Sequence, residues 1–149
     1  MPPLHDDYWR TLCMDVVDCQ IFKKHRRCAI PDKGRVQEWL AWVLGGNDVA
    51  STWKGIPQLH WHLNTVLQQK RMVASRAGRI GLASQNVRVS DKICILAGEA
   101  YPYILRPARG GASGPEYELV GPAYVHGLMD GEALHEAGDS TAFSTIDIV

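Results

Sequence analysis

The sequence predicts an α+β fold in which about three N-terminal helices pack on a small five-stranded antiparallel β-barrel. Two patterns indicate this. Over roughly the first 69 residues, apolar side chains recur with the 3.6-residue period of a helix, whereas from residue 70 short apolar runs alternate with Gly- and Pro-containing turns. We therefore expect one compact domain overall, with a helical subdomain at 1–69, a barrel subdomain at 70–134 that ends in a turn motif, and an irregular tail at 135–149.

The composition is that of a globular chain without an overall electrostatic preference. Lys and Arg number 16, as do Asp and Glu, so net charge gives no general attraction to nucleic acid or an anionic membrane. No run approaches the ~18 apolar residues of a membrane span, and the first residues lack the basic and apolar regions of a signal peptide. We therefore expect a cytoplasmic location and no membrane contact.

The four cysteines predict neither a structural metal nor a cofactor. Cys13, Cys19, Cys28 and Cys94 contain no C-x-x-C pair, the spacing typical of zinc sites. Cys13 lies in an amphipathic segment and Cys94 in a predicted strand, where a buried free thiol is the ordinary interpretation.

Three stretches carry a helical apolar period, and we predict helices near 5–21, 35–44 and 57–69. The middle one has the strongest pattern, formed by Val36, Trp39, Leu40, Val43 and Leu44. The basic run Lys23–Arg27 is interpreted as a solvated linker between the first two helices; a nucleic-acid-binding or nuclear import signal is the alternative.

The third predicted helix bears a candidate interface residue, Trp61. The apolar stripe that includes Leu59 and Leu63 leaves Trp61 on the opposite side, so we expect Trp61 to be exposed and to contact a protein partner. His60 and His62 flank it, but residues two apart on a helix diverge and do not share one metal ion.

Five strands follow, separated by turns. They are predicted at Arg71–Ser75, Arg79–Ala83, Lys92–Leu96, Tyr101–Arg106 and Tyr117–Val125. Gly78 is available for positive φ in the turn of the first hairpin, and the Gly-rich segment 108–115 forms a loop before the last strand.

The stretch Tyr117–Leu134 ends in a turn motif that is either structural or a site. Gly127 and Gly131 permit positive φ and predict two successive tight turns. We expect Asp130 and Glu132 to accept backbone N–H bonds, His126 to point inward and bond to backbone, and Arg106 to neutralise Glu132. We interpret the motif as structural; its residues are Arg106, Tyr124, His126, Gly127, Asp130, Gly131 and Glu132. Catalysis by His126 with Asp130 or Glu132 is the competing interpretation.

Several stretches together carry a family resemblance. They include Tyr8-Trp-Arg-Thr-Leu12, Glu38-Trp-Leu40, Arg71–Leu82, Asp91–Gly98, Pro102–Pro107, Tyr117–Gly121 and Tyr124–Leu134. In this order they make the chain resemble the C-terminal region of fungal heterokaryon-incompatibility (HET-domain) proteins. The chain departs from that pattern at Met72-Val73-Ala74, where aromatic residues are usual, and at Pro122, where an acidic residue is usual.

The resemblance implies a context of self/non-self recognition, programmed cell death and innate immunity in a filamentous fungus. Such proteins carry an N-terminal HET signalling domain, which nothing in this sequence resembles, so we interpret the chain as the companion region. The first functional hypothesis is a non-catalytic regulatory or interaction module, whose partner is a HET-type signalling domain or a second copy. The alternatives are a small barrel that binds a ligand or nucleic acid, which the lack of interleaved basic and aromatic residues disfavours, and an enzyme using His126, Asp130 and Glu132.

Overall fold

The computed structural model describes residues 5–19, 24–45, 56–108, 115–137 and 143–149. The chain divides into two compact units, Met1–Gln68 and Gln69–Val149. The first unit contains α1 (Asp6–Leu12), β1 (Val16–Cys19), β2 (Lys24–Arg27), α2 (Ile30–Gly45) and α3 (Ile56–Leu67). The strands β1 and β2 form an antiparallel hairpin.

The core of the first unit is built from the apolar stripes of its three helices. The buried residues are Trp9, Leu12, Cys13, Cys28, Val36, Trp39, Leu59 and Leu63. Val36 and Trp39 on α2, and Leu59 and Leu63 on α3, belong to the predicted stripes and are buried. The prediction fails at the C-terminal end of the α2 stripe, where Val43 and Leu44 are exposed.

The first predicted helix is wrong beyond Leu12. Met14 and Asp15 both have positive φ, at 53° and 54°, a conformation that a right-handed helix cannot contain. Arg10 stabilises this reversal, because its Nη1 donates to Asp15 Oδ1 at 2.6 Å and to the Cys28 carbonyl at 2.9 Å. The chain then continues into β1, whose Val16 and Val17 are β-branched and favour a strand.

The basic run is also different from the prediction. Residues 24–27 form β2, paired with β1 from Cys19↔Lys24 to Val16↔Arg27, and are therefore not a linker; Lys23 lies outside the described residues. Arg26 donates two hydrogen bonds to Asp32 at the start of α2, at 2.7 and 2.8 Å. Through Arg26, this strand is hydrogen-bonded to the start of the second helix.

The second unit holds the strands predicted by the turn pattern. They are β3 (Lys70–Ala74), β4 (Ile80–Ser84), β5 (Lys92–Ile95), β6 (Pro102–Pro107), β7 (Glu116–Pro122), β8 (Tyr124–Val125) and β9 (Asp147–Ile148), with α4 (Glu132–Ala137) between the last two. One sheet has the order β3-β4-β8 and the other β5-β6-β7-β9. Buried residues of both sheets, including Ala83, Ile104 and Val125, form one apolar cluster.

The α+β class is confirmed, with two differences in detail. Four helices lie in the described part of the chain, one more than predicted. The backbone ladders among the described residues place the strands in two sheets rather than in one closed barrel. All pairs are antiparallel apart from β7 with β9, which run parallel.

The predicted irregular tail contains regular structure. Helix α4 extends to Ala137, and Asp147–Ile148 pairs with the start of β7, where the Val149 N–H donates to the Tyr117 carbonyl at 2.9 Å. The short β-branched end Ile148-Val149 therefore adds a strand to an otherwise open sheet edge.

Candidate functional site

Trp61 lies on the outward face of α3. The helix buries Leu59 and Leu63, at 5% and 0% exposure, whereas Trp61 is 66% exposed, as its position relative to the stripe predicted. Asn64 and Thr65, one helical turn further on, are exposed as well, and Thr65 Oγ1 donates to the Trp61 carbonyl at 2.8 Å. No residue of Ile56–Leu67 carries an ionised side chain at neutral pH, histidines aside. The result is an uncharged helical face with a large aromatic side chain in water.

The two histidines beside Trp61 take part in separate structural contacts. Trp39 Nε1 donates to His60 Nδ1 at 3.2 Å, so His60 must carry its proton on Nε2 when neutral. The Trp42 ring packs edge-on against the same imidazole, with centroids 5.0 Å apart. His62 Nε2 lies 3.1 Å from the Val16 carbonyl, in β1. Within the described ranges, no group of three or more His, Cys, Asp or Glu side chains is placed to hold a metal ion.

The turn motif has the backbone geometry that its glycines predicted. Gly127 and Gly131 have φ of +76° and +87°. The His126 N–H donates to the Ile80 carbonyl at 2.9 Å, which fastens the motif to β4. Glu132 Oε2 accepts from the Asp130 N–H at 2.7 Å, the role predicted for a carboxylate in this turn. The motif therefore begins as a continuation of the sheet and ends as the start of α4.

The side chain of His126 is placed differently from the expectation. The Nδ1 of His126 lies 2.9 Å from the Tyr124 hydroxyl, a side-chain contact that the sequence did not predict. The two rings are tilted against each other, with centroids 6.4 Å apart. His126 is half-buried, not inside the core.

Arg106 does not neutralise Glu132. Its Nε donates to Asp91 Oδ1 at 3.0 Å and its Nη2 to Asp91 Oδ2 at 2.9 Å, a two-point ion pair whose carboxylate is 4% exposed. The same guanidinium donates to the Asn86 carbonyl at 2.9 Å. Burial alone would raise the pKa of Asp91, but the bonds from Arg106 and from the Arg88 N–H lower it below its ordinary 3.8. Arg106 therefore fixes the start of β5.

The cation that holds the motif is Arg79, which the sequence did not associate with it. Arg79 Nη1 donates to the Gly127 carbonyl at 3.0 Å, and Nη2 lies 2.6 Å from Glu136 Oε2 on α4. A β-carbon at Gly127 would lie 2.7 Å from Arg79 Nη1, the flexible end of a side chain, so glycine is required there for its positive φ rather than for space. Arg79 flanks the first hairpin turn, 48 residues from Gly127, and no local signal joins them.

Two buried thiols meet in the first unit. Cys13 Sγ and Cys28 Sγ lie 3.0 Å apart, and both cysteines are free. The contact with Cys13 raises the pKa of the Cys28 thiol, and burial raises it further because it disfavours the charged thiolate. Cys94 is half-buried in β5, where burial raises the pKa of its thiol. Cys13 is therefore a buried free thiol as predicted, whereas Cys94 is free but only half-buried.

A helical unit followed by a unit of short antiparallel strands around one apolar cluster defines an α+β protein with a small β-rich module. The sequence model of the Het-6 beta-barrel domain matches residues 20–143, and the chain belongs to that family. This confirms the resemblance drawn from the sequence motifs.

A curated protein is also similar to this chain. The chain is similar to "Heterokaryon incompatibility protein 6, OR allele" of Neurospora crassa, with 33% identity over 66 residues. That alignment covers 44% of this chain and 10% of the relative, so the chain matches about a tenth of the relative's length. No solved structure matches this chain. Within the described ranges, no helix has both the length and the apolar composition that crossing a membrane requires.

Proposed function

We propose that this chain is a non-catalytic interaction module of fungal heterokaryon-incompatibility proteins, and that the outward face of α3 contacts a protein partner. The observation that carries the proposal is Trp61, which is 66% exposed on a helix without Asp, Glu, Lys or Arg. Trp is enriched among the residues that dominate binding energy at interfaces, and charged residues are depleted there. An uncharged helical face with an exposed Trp matches that composition.

The biological context follows from the family. The named relative is a heterokaryon incompatibility protein, and most of its length lies outside the matched stretch. The proposed role of this chain is therefore allorecognition in the cytoplasm of a filamentous fungus, linked to programmed cell death as a form of innate immunity. Its partner would be a HET-type signalling domain or a second copy of the chain.

The proposal assigns a structural role to the turn motif. His126 uses Nδ1 on the Tyr124 hydroxyl, and Glu132 uses a carboxylate oxygen on the Asp130 N–H. These contacts give both side chains a role in holding the turn together, which supports the structural assignment. On this account no turnover depends on His126, Asp130 or Glu132.

The proposal extends to the arrangement of the second unit. Five strands, β3 to β7, would form a half-open barrel around the shared apolar cluster. Support comes from the residues that pack on that cluster, because Val73 of β3, Ile93 of β5 and Val120 of β7 all contact it. The opening would lie between β3 and β5, each the last strand of its sheet.

The test is to titrate the chain with a separately purified HET-type signalling domain and, independently, to measure its mass in solution across concentration. Replacing Trp61 with Ala should weaken the contact about 30-fold, the effect of losing ~2 kcal/mol at a central interface residue. The matched control is Tyr101→Ala, which removes an aromatic side chain of similar exposure, 56%, from the second unit. Binding that is equally strong in both variants and the parent would refute the assignment of α3.

A further inference from the structure

A groove of about 700 Å³ opens on the second unit between strands of the two sheets. It is lined by β3 and the following turn, by the segment 87–91, by the start of β5 and by Ile104 of β6. None of these residues belongs to the turn motif or to the α3 face. The groove is therefore a separate candidate site.

Among the described residues β3 pairs with β4 alone, and the groove runs along its other, open edge. Gln69 pairs with Gln85 through a backbone hydrogen bond of 2.8 Å, and Ser75 pairs with Arg79 through another of 2.8 Å. In an antiparallel ladder the hydrogen-bonded pairs recur at every second residue. The backbone N–H and C=O groups of the odd-numbered residues of β3 therefore point toward β4. The N–H and C=O groups of Met72 and Ala74 must then point the other way, along the edge that lines the groove. Such an edge is a template for an added strand.

The charge of the groove is strongly one-sided. The basic side chains that line it are Arg71, Arg76, Arg88 and Lys92, all on exposed residues. Asp91 is the one acidic residue among the lining side chains described, and its carboxylate is already paired with Arg106. Lys92 Nζ donates to the Tyr117 hydroxyl at 2.8 Å, so Arg71, Arg76 and Arg88 are the cations that the groove offers to an anionic ligand.

The uncharged part of the lining indicates the chemistry of that ligand. Met72, Val87, Val89 and Ile93 are apolar, and Val89 is 97% exposed at the rim. The lining residues described include no Phe, Tyr or Trp on which a base could stack, as single-stranded nucleic-acid grooves normally provide. Backbone edge, cations and aliphatic side chains together match an extended peptide with alternating acidic and apolar residues.

We propose that this groove binds an extended acidic peptide segment of a partner protein, which adds as a strand along the open edge of β3. Its backbone bonds to Met72 and Ala74, while its carboxylates lie against Arg71 and Arg76. Its apolar side chains contact the aliphatic rim. This site is independent of the contact proposed for Trp61 on α3.

The probe is a fluorescein-labelled seven-residue peptide of alternating Glu and Val, long enough to span the five residues of β3. We expect its fluorescence anisotropy to rise on titration with the full chain, and the affinity to fall as added salt shortens the screening length from ~30 to ~3 Å. The same peptide with Lys in place of Glu should not bind. N-methylation of every second residue of the peptide should abolish binding in one register and be tolerated in the other, because only one alternating set of the peptide's N–H groups points toward β3.

The protein variants test the cations. The double replacement Arg71→Gln with Arg76→Gln should weaken binding about tenfold, the effect of two exposed ion pairs lost together. The control is Lys70→Gln, which removes one positive charge next to Arg71 in β3 at a residue that does not line the groove; it should change affinity less than about twofold. The Trp61→Ala variant should bind the peptide as tightly as the parent does. The peptide site can therefore be confirmed even if the contact proposed for α3 is refuted. Thermal melting checks that each variant is folded.

Three outcomes would overturn the proposal. No anisotropy change at ~1 mM chain would exclude a peptide site of useful affinity. Equal binding of the Lys peptide, or of both N-methylated peptides, would exclude charge recognition or strand addition. Tighter binding of an oligothymidylate than of the Glu peptide, lost in the double variant, would show a nucleic-acid groove instead.

Discussion

Asp32 is the residue whose replacement tests most directly how the first unit is held together. Its side chain is 3% exposed, and it accepts from Arg26 through both oxygens, at 2.7 and 2.8 Å. It also accepts from the Ala29 N–H at 2.8 Å, one of the donors left unpaired at the start of α2. The carboxylate thus binds the β2 strand and the helix start at one point.

The expected magnitude follows from these contacts. A hydrogen bond to a charged group contributes about 1.5–3 kcal/mol, but the Arg26 side chain is 44% exposed and water can replace part of its bonding. Asp32→Asn keeps an acceptor for the Ala29 N–H and loses the charge, so we expect a loss of about 1–2 kcal/mol. Asp32→Ala also leaves that N–H without its acceptor, and the loss should reach about 2–4 kcal/mol. A unit of 68 residues has only about 3–10 kcal/mol in total.

The assay uses the placement of the tryptophans. All five, at positions 9, 39, 42, 53 and 61, lie in the first unit, so tryptophan fluorescence during urea denaturation reports that unit selectively. A double-mutant cycle with Arg26→Gln isolates the ion pair, and we expect a coupling free energy of about 1 kcal/mol. Far-ultraviolet circular dichroism monitors both units as the control.

Two results would refute this reasoning. One is an Asp32→Ala variant whose fluorescence midpoint equals that of the parent, which would mean that the carboxylate is not buried in this pair. The other is strict additivity of Asp32→Asn and Arg26→Gln, which would mean that the two side chains do not interact in solution.

The remaining predictions concern acidity, packing and the turn motif. Burial would raise the pKa of Asp32, but the bonds from Arg26 and the Ala29 N–H lower it overall, below its ordinary 3.8. The stability that the Asp32 carboxylate contributes is therefore complete above the pKa of the unfolded chain and is lost as pH falls through the lower pKa of the folded protein. The unfolding free energies of the parent and Asp32→Asn, measured by tryptophan fluorescence, should therefore converge in acid, and a constant difference would contradict this. Gly81→Ala should lower the melting temperature of the second unit strongly, because its β-carbon would overlap the Tyr124 carbonyl; an unchanged melt would show that the ladder can shift. Glu132→Ala should lower the free energy of unfolding, measured by urea denaturation, by about 1 kcal/mol. This is at the low end for a lost hydrogen bond because the Asp130 N–H is exposed and water can replace the carboxylate; a loss above ~3 kcal/mol would contradict this reasoning.

The elements predicted well are those whose signal is local. The stripe from Val36 to Leu44 predicted α2, and Gly78, observed at φ +81°, predicted the first hairpin turn. The end of α1 was missed for a definable reason: Met14 and Asp15 adopt positive φ although neither is Gly or Asn. The apolar period continues across them to Val16, so periodicity alone extends the helix.

The ion pair of Arg106 could have been predicted from the sequence, whereas the contacts of Arg79 could not. Lys92 pairs with Leu105 in the β5–β6 hairpin, so the next residues out, Asp91 and Arg106, necessarily lie opposite each other. A prediction that used the register of its own hairpin would have chosen Asp91, 15 residues away, in place of Glu132. No comparable rule reaches Arg79, because its partners are 48 and 57 residues distant and depend on how β8 docks on β4. Short-range register therefore determines the ion pair beside the groove, whereas the cation of the turn motif is fixed only by the assembled sheet.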